Sequence, residues 1–478
     1  MITTSPAEVQ APQSSIGLAV YKKTAWRLMP FLILCYVLAQ IDRFNIGFAK
    51  LQFLHDLRLN DAVFGIAASA FYVGYMLFEV PSNWLLTRTG VRKTLLRIMV
   101  FWGAVTCTLM FAKSATYLYG LRFLLGVAEA GFFPGILFYL TLWFPDRLRG
   151  RISTLFVAAI PASGIIGGPL AGWIMGDMEG INGWHGWQWL FLLEGVPTIL
   201  LGIVAYYYLK DSLATATWLS SSEKDAVSED LAADTVARPD NASDNFHAAL
   251  RNSRVWQLAV IYFAYFFALN ANILWGPTLL KAVGEQTVGV VGLASGAIAL
   301  FATLGMILVA RSSDRYMERR WHICTCGLVA AGALLLLPLA SRSLGATIVL
   351  LGVSSTGLYS VLGLFWTIPS AILRGNAAAA GIALINSFGA LAGSLGPALI
   401  GWIKVQTGSL YVGMGAVAVF LIISMVALVR LAPSAQELAR RGKEPASAAA
   451  SVNDDIGDRK STRLNSSHLR LSRMPSSA

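Results

Sequence analysis

The sequence predicts an all-α membrane protein: twelve transmembrane helices in two six-helix bundles related by a pseudo-two-fold axis. Three observations predict it. The 478 residues are 56% hydrophobic and only 13% charged, about half the charge of a soluble domain. Twelve stretches are long and apolar enough to cross a bilayer, which takes about 20 residues each. Two pairs of motifs recur at nearly one offset, so the chain reads as two halves.

The twelve candidate spans are 26–48, 62–86, 95–112, 115–144, 152–176, 187–209, 255–280, 287–310, 323–341, 346–372, 380–404 and 408–431. A polar stretch rich in Ser, Asp, Glu and Ala, 210–254, separates six from six. The expected organisation is an N-terminal tail (1–25), a first bundle (26–209), a connecting loop (210–254), a second bundle (255–431) and a tail (432–457). Residues 1–25 are polar and lead into a span too long for a cleaved leader. Residues 458–478 stand apart. The run DRKSTRLNSSH, Asp458 to His468, resembles the translation of a common sequencing-library adapter, so read-through is expected there rather than native chain. Without that segment the net charge of +11 falls to +7.

Lysine and arginine set the orientation. With the N-terminus inside, 24 of them fall on the inner side and six on the outer. The outer six are Lys50, Arg58, Lys113, Lys281, Arg342 and Lys404. Both termini and the connecting loop are therefore expected in the cytoplasm, and the protein in the inner (plasma) membrane. The repeats support two bundles. TRTGVRK follows span 2 and DRYMERR follows span 8, with Arg88, Arg92 and Lys93 lying 227 residues before Arg315, Arg319 and Arg320. Span 5 carries GGPLAGWI and span 11 LGPALIGWI, with their Gly-Pro pairs 228 residues apart. Small residues allow close helix approach, and each proline can bend its helix. Such spans suit two bundles that rock.

Other classes find no support. The basic residues sit between apolar runs and form no nucleic-acid patch. Cys35, Cys107, Cys324 and Cys326 lie in or beside apolar segments and form neither a disulfide framework nor a metal site. No catalytic motif and no filter-like repeat is present, so neither an enzyme nor a channel is expected. No cofactor is implied.

Ionisable side chains inside a span are costly and mark function. The interiors of the predicted spans hold Asp42, Arg43, Glu79, Arg122, Glu129 and Glu194, all in the first half. Counting residues places Asp42, Arg43 and Arg122 in one layer, roughly 10 Å below the outer edge, with Glu129 about 10.5 Å deeper on the face of Arg122. Two arginines can hold a carboxylate, because guanidinium offers a planar donor fork. Two acids can carry protons: burial drives them neutral and a neighbouring arginine reverses that. Glu79, before Pro81, is expected to bond backbone or an arginine at the inner end, and Glu194 is expected to be structural. No histidine falls in a span centre. Neutral pocket candidates are Tyr75, Asn270, Asn272, Trp275, Trp366, Thr367, Ser370, Asn386 and Ser387, which would orient a ligand and supply contact area.

Seven segments carry a resemblance: IDRFNIGFA (Ile41–Ala49), GYMLFEVPSN (Gly74–Asn83), RFLLGVAEAGFFPG (Arg122–Gly135), WFPDRLRGR (Trp143–Arg151), WQWLFLLEGVP (Trp187–Pro197), LWGPTLLK (Leu274–Lys281) and INSFGALAGSLGP (Ile385–Pro397). Over residues 20–432 the chain resembles the major facilitator superfamily, and within it the organic anion:proton symporters that include tartrate, sugar-acid, phthalate and hydroxyphenylacetate permeases and sialin-type carriers. The resemblance implies protons carried by Asp42 and Glu129 and an anion held by Arg43. It also favours Tyr75, Trp366 and Asn386 as pocket residues. Thr87 departs from the family motif, which has an acid there; the second copy keeps Asp314. The expected function is proton-coupled uptake of a small organic carboxylate by a monomer in the lipid bilayer, with aromatic or sugar acids favoured. A drug/proton antiporter of the same fold is the alternative, against which the two arginines argue.

Overall fold

The computed structural model describes residues 15–236, 250–316, 318–372 and 377–431. The tail 432–457, the adapter-like run 458–478 and the side chain of Ser370 lie outside the described residues. The described residues are helical, with twelve spans among them. Span 1 is Ser15–Phe44 continued by Ile46–Asp56, span 2 Asp61–Thr89, span 3 Val91–Leu109, and span 4 Ala115–Glu129 continued by Phe132–Thr141. Span 5 is Asp146–Val157 continued by Ala159–Asp177, and span 6 is Gly186–Tyr208. In the second bundle, span 7 is Ser253–Ala282, span 8 Val288–Tyr316, and span 9 Arg320–Leu336 with the 3-10 turn Leu337–Ala340. Span 10 is Leu344–Phe365 continued by Thr367–Ile372, span 11 Ala377–Thr407 and span 12 Leu410–Leu431.

Local chemistry places the ends. The side chains of Asn60, Ser114, Asn252 and Ser343 each accept a backbone N–H in the first turn of spans 2, 4, 7 and 10, relieving donors that a helix start leaves unpaired. Eleven spans qualify by length and hydropathy alone. Span 3 does not, because Arg92, Lys93 and Arg97 crowd its first two turns. It still buries Met99 and Trp102 completely, and a Cβ at its Gly103 would lie 2.7 Å from the carbonyl oxygen of Gly195 in span 6.

The pseudo-two-fold is visible in which spans meet. Span 5 packs along span 8, and span 11 along span 2. These are the two spans that carry the repeated Gly-Pro motif. A Cβ at Gly168 would lie 2.8 Å from the Gly292 carbonyl oxygen, and one at Gly401 would lie 2.5 Å from that of Asp61. Only glycine allows backbones this close. With the start of span 1 defining the terminal face, these contacts lie toward the opposite, far face. There Lys281 Nζ donates to the Leu51 carbonyl at 2.6 Å, and Asp61 pairs with Lys404 at 2.7 Å. The bundles are therefore sealed together along the far half.

Three expectations are corrected. Lys50 is not in a loop: IGFAKLQFLHD is apolar enough to carry span 1 on to Asp56, and Lys50 is 2% exposed. Its ammonium sits 3.5 Å from the Trp275 ring centroid and 3.9 Å from that of Phe64, an aromatic cage that substitutes for water. The connecting segment is not all loop: Ser221–Val236 is a helix. It is held on the first bundle by Arg147 and Tyr21 bonded to Asp230, and by Lys23 bonded to Glu223. Glu79, expected to bond at the terminal end, makes no hydrogen bond or ion pair among the described residues and stays half-buried.

Candidate functional site

Glu129, one of the buried charges of the first bundle, lies where a helix is interrupted. Span 4 breaks at Ala130–Gly131, where Gly131 has φ +87°, while span 1 keeps helical dihedrals at Asn45 (φ −55°, ψ −32°). Broken helices expose backbone and side chains that an intact helix would occupy, and at membrane depth they mark ligand sites. Asp42 and Arg43 lie just before Asn45, and Glu129 ends the helix at the break in span 4.

Asp42 and Arg43 are consecutive, so their side chains leave span 1 about 100° apart. They enter different surroundings. Arg43 forms an ion pair with Glu129; the acid is 2% exposed and the arginine 17%. The Arg43 guanidinium carbon lies 5.2 Å from the Tyr75 ring centroid and 5.3 Å from that of Phe71. The Arg122 guanidinium carbon lies 5.0 Å from the same Phe71 ring. Two guanidiniums thus flank one aromatic ring, with one carboxylate bound to the first. Arg122 is 1% exposed, and its Nε and Nη1 have no hydrogen-bond partner among the described residues. These are unspent donors.

Asp42 turns toward span 6. Thr198 Oγ1 donates to its Oδ2 at 3.2 Å, and Asn45 Nδ2 lies 3.5 Å from its Oδ1. The same Asn45 amide donates to Glu194 Oε2 at 2.7 Å. Glu194 is therefore bonded to a residue three positions from Asp42. Glu194 also lines a cavity of about 100 Å³ between the bundles, with Gln40, Asn45, Asn272, Ser355 and Tyr359 on its walls.

The neutral candidates fall into three groups. Asn270 accepts a 2.5 Å bond from Tyr72 across the bundle interface, and Asn272 donates to Ser355 at 2.8 Å beside the cavity. Trp275 is fully buried in the Lys50 cage, distant from the arginines along the far half. Trp366 lies against Tyr262 at 5.0 Å, Thr367 donates to the Leu364 carbonyl, and Asn386 and Ser387 are exposed on the terminal half of span 11. Tyr75 is brought to the arginines. Sequence reasoning missed Lys50, Phe71 and Tyr72. The unbroken apolar pattern through 46–56 could have found Lys50; nothing in the spacing singled out the two rings.

The comparisons agree with one another. The model of the Major Facilitator Superfamily matches residues 32–397. A provisionally named metabolite transport protein, NicT, of Pseudomonas putida is 42% identical over 86% of this chain and 94% of its own. A protein of Agrobacterium vitis with the provisional name of tartrate transporter is 42% identical over 87% and 92%. The quinolone resistance transporter of Acinetobacter baumannii is 37% identical over 85% and 93%. Among solved structures, an inward-facing bacterial homologue of the human lysosomal transporter Spinster superposes with TM-score 0.69 at 18% identity, over 89% of this chain and 98% of that one. A D-xylose–proton symporter superposes with TM-score 0.67 at 15% identity, over 86% and 99%.

Proposed function

This chain belongs to the major facilitator superfamily, and on that premise we propose that it takes up a small organic carboxylate together with protons. It is a membrane transporter and not an enzyme. The observation that carries the finer reading is the Arg43–Glu129 ion pair beside the unspent donors of Arg122. A substrate carboxylate arriving at the two guanidiniums competes with Glu129 for Arg43. Glu129, displaced and buried, then favours its neutral form and takes a proton. Substrate and proton binding become linked through one arginine. Asp42, with no cation bonded to it, is the second proton carrier.

The remaining parts have roles in the same cycle. Tyr75 and Phe71 frame the anion, while Asn270, Asn272, Trp366, Thr367 and Asn386 form or adjoin the opposite wall, and Trp275 backs the far seal. With the terminal face in the cytoplasm, the sealed far face is the outer one, and the bundles rock about spans 2, 5, 8 and 11. One chain supplies both bundles, so a monomer suffices. A monoanion entering against an inside-negative potential costs about 2.3 kcal/mol per 100 mV. One proton cancels that charge, and two make the potential assist uptake.

The names of two relatives bear on the substrate. Tartrate is a dicarboxylate, and quinolones also carry a carboxyl group, so one anion site suits both chemistries. The resistance relative favours a second reading, export of a drug in exchange for protons. Proteoliposomes decide between them. An acid-outside gradient should drive tartrate or an aromatic acid inward and above equilibrium. Gradient-driven expulsion of a quinolone, with no carboxylate accumulation, would establish the exporter instead.

A further inference from the structure

We infer that Glu194 binds a proton of its own at the cavity between the bundles and carries it through the transport cycle. The inference extends the proton-coupled reading above and rests on it for the word cycle. Glu194 is 4% exposed, and its Oε1 has no hydrogen-bond partner among the described residues. Three other carbonyl-type oxygens around it are in the same condition: Gln40 Oε1, Asn45 Oδ1 and Asn272 Oδ1. All three belong to residues on the cavity wall. The site therefore holds a surplus of acceptors. A carboxyl proton supplies the donor they lack, which is the favoured outcome for buried polar oxygens.

Charge leads to the same place. Among the described residues no lysine or arginine lies within ion-pair distance of Glu194 or Asp42, whereas Glu129 holds Arg43. The titratable neighbours are few. Span 1 presents Asp42, span 4 presents Glu129 and Arg122 to Asp42, span 3 presents Cys107, and span 10 presents the Tyr359 phenol at the cavity. Spans 5 and 8 offer only hydroxyls, Ser163 and Ser295, and span 7 only Asn272. Two buried carboxyl groups that share one amide, with no cation in ion-pair contact, are strongly disfavoured as two anions. The proton enters from water when the cavity opens, converts the Glu194 carboxylate to the acid, and leaves by ionisation when the bundles rock the other way. Hard cations also prefer oxygen ligands, so the experiment separates the proton from sodium.

Two measurements on the full chain test the inference. In proteoliposomes with the potential clamped and a pH gradient of about one unit, each coupled proton multiplies steady-state accumulation by about ten. Glu194→Gln keeps the bond from Asn45 and removes the proton, so its accumulation should fall about tenfold, and Glu194→Asp should restore it. Infrared spectra of the purified proteins should show one protonated-carboxyl C=O band lost in Glu194→Gln and shifted in Glu194→Asp. Unchanged accumulation with an unchanged spectrum would leave Glu194 a helix tie and end the proposal. Loss of the band on adding sodium in place of choline at fixed pH would make the site a metal-ion site and also end it. A wild type indifferent to the pH gradient would sink the symport reading, and the infrared band would still decide Glu194.

Discussion

The two bundles share one architecture and divide the chemistry unequally. The interior of the first holds Asp42, Arg43, Arg122, Glu129 and Glu194. The second faces them with Asn270, Asn272, Ser355 and Tyr359, all neutral. The difference has a physical use. Bundles that rock must break the contacts between them in every cycle. Near the site those contacts are neutral hydrogen bonds such as Tyr72–Asn270, worth about 1 kcal/mol each. The buried ion pair stays inside one bundle, where no rocking motion has to break it. Among the described residues the cross-bundle ion pair is Asp61–Lys404, partly exposed near the far face, where water makes breaking it cheap.

The repeated loops differ in a related way. In the second copy Arg319 pairs with Asp314 at 2.5 Å within its own loop. In the first copy Thr87 stands at the acidic position and turns back to bond the Trp84 carbonyl. Asp211, from beyond span 6, supplies the acid instead. It accepts the Arg92 backbone N–H at 2.9 Å and lies 3.2 Å from where a Cβ on Gly90 would be. Gly90 has φ +81°, a conformation that side chains rarely adopt.

The sharpest way to break the comparison is to remove the charge that the first bundle contributes. Arg43→Ala deletes both the proposed anion anchor and the partner of Glu129. Stranding one member of a buried pair costs about 3–5 kcal/mol, so uptake should fall by more than about a hundredfold. Arg43→Lys should fail nearly as badly, because the planar fork is gone. Near-normal uptake by either variant, measured in cells with equal surface expression, would remove Arg43 from the site.

Asp42→Asn and Glu129→Gln keep shape and remove a titrating group. Each should lose uphill accumulation while retaining part of its substrate exchange. Full accumulation by Glu129→Gln, driven by a valinomycin-set potential at fixed pH, would mean that Glu129 is only a partner for Arg43. Potential-insensitive uptake of a monoanion by the wild type would rule out a two-proton cycle.

A smaller effect is expected at the neutral wall. Tyr72→Phe or Asn270→Ala removes one bond across the interface, about 1 kcal/mol. The sealed far face should then open about fivefold more often, read as faster labelling of a cysteine placed beside Leu51. A loss of transport by Asn270→Ala as large as that of Arg43→Ala would show that the second bundle carries as much of the binding as the arginine.

The smallest effect belongs to the connecting helix. The hydrogen bonds from Arg147 hold the Asp230 carboxyl below its ordinary value. A depressed acid stabilises the folded state above its unfolded pKa, and that contribution disappears as pH falls through the folded value. Docking of Ser221–Val236 should therefore weaken only in strong acid, by less than about 1 kcal/mol for so exposed a pair. Arg147→Ala should weaken the pH dependence and leave the part that Tyr21–Asp230 and Lys23–Glu223 carry, followed by fluorescence of Trp218, which stacks on Trp143.

Much of this protein was legible in its sequence, because a bilayer turns composition into architecture. Apolar length marks a span. Small residues repeated on spans 5 and 11 foretell the two spans that meet spans 8 and 2. A costly charge inside a span announces itself, and five of the six picked out this way lie in the connected interior of the first bundle. Tertiary structure decided the pairing. Consecutive residues on one helix diverge by about 100°, so only packing could send Arg43 to Glu129 and Asp42 to Thr198. Side-chain reach closed the vertical gap that residue counting placed between Arg43 and Glu129. Packing also buried Lys50 between Phe64 and Trp275, one ring from each bundle, and left Glu194 facing a cavity that neither bundle could form alone.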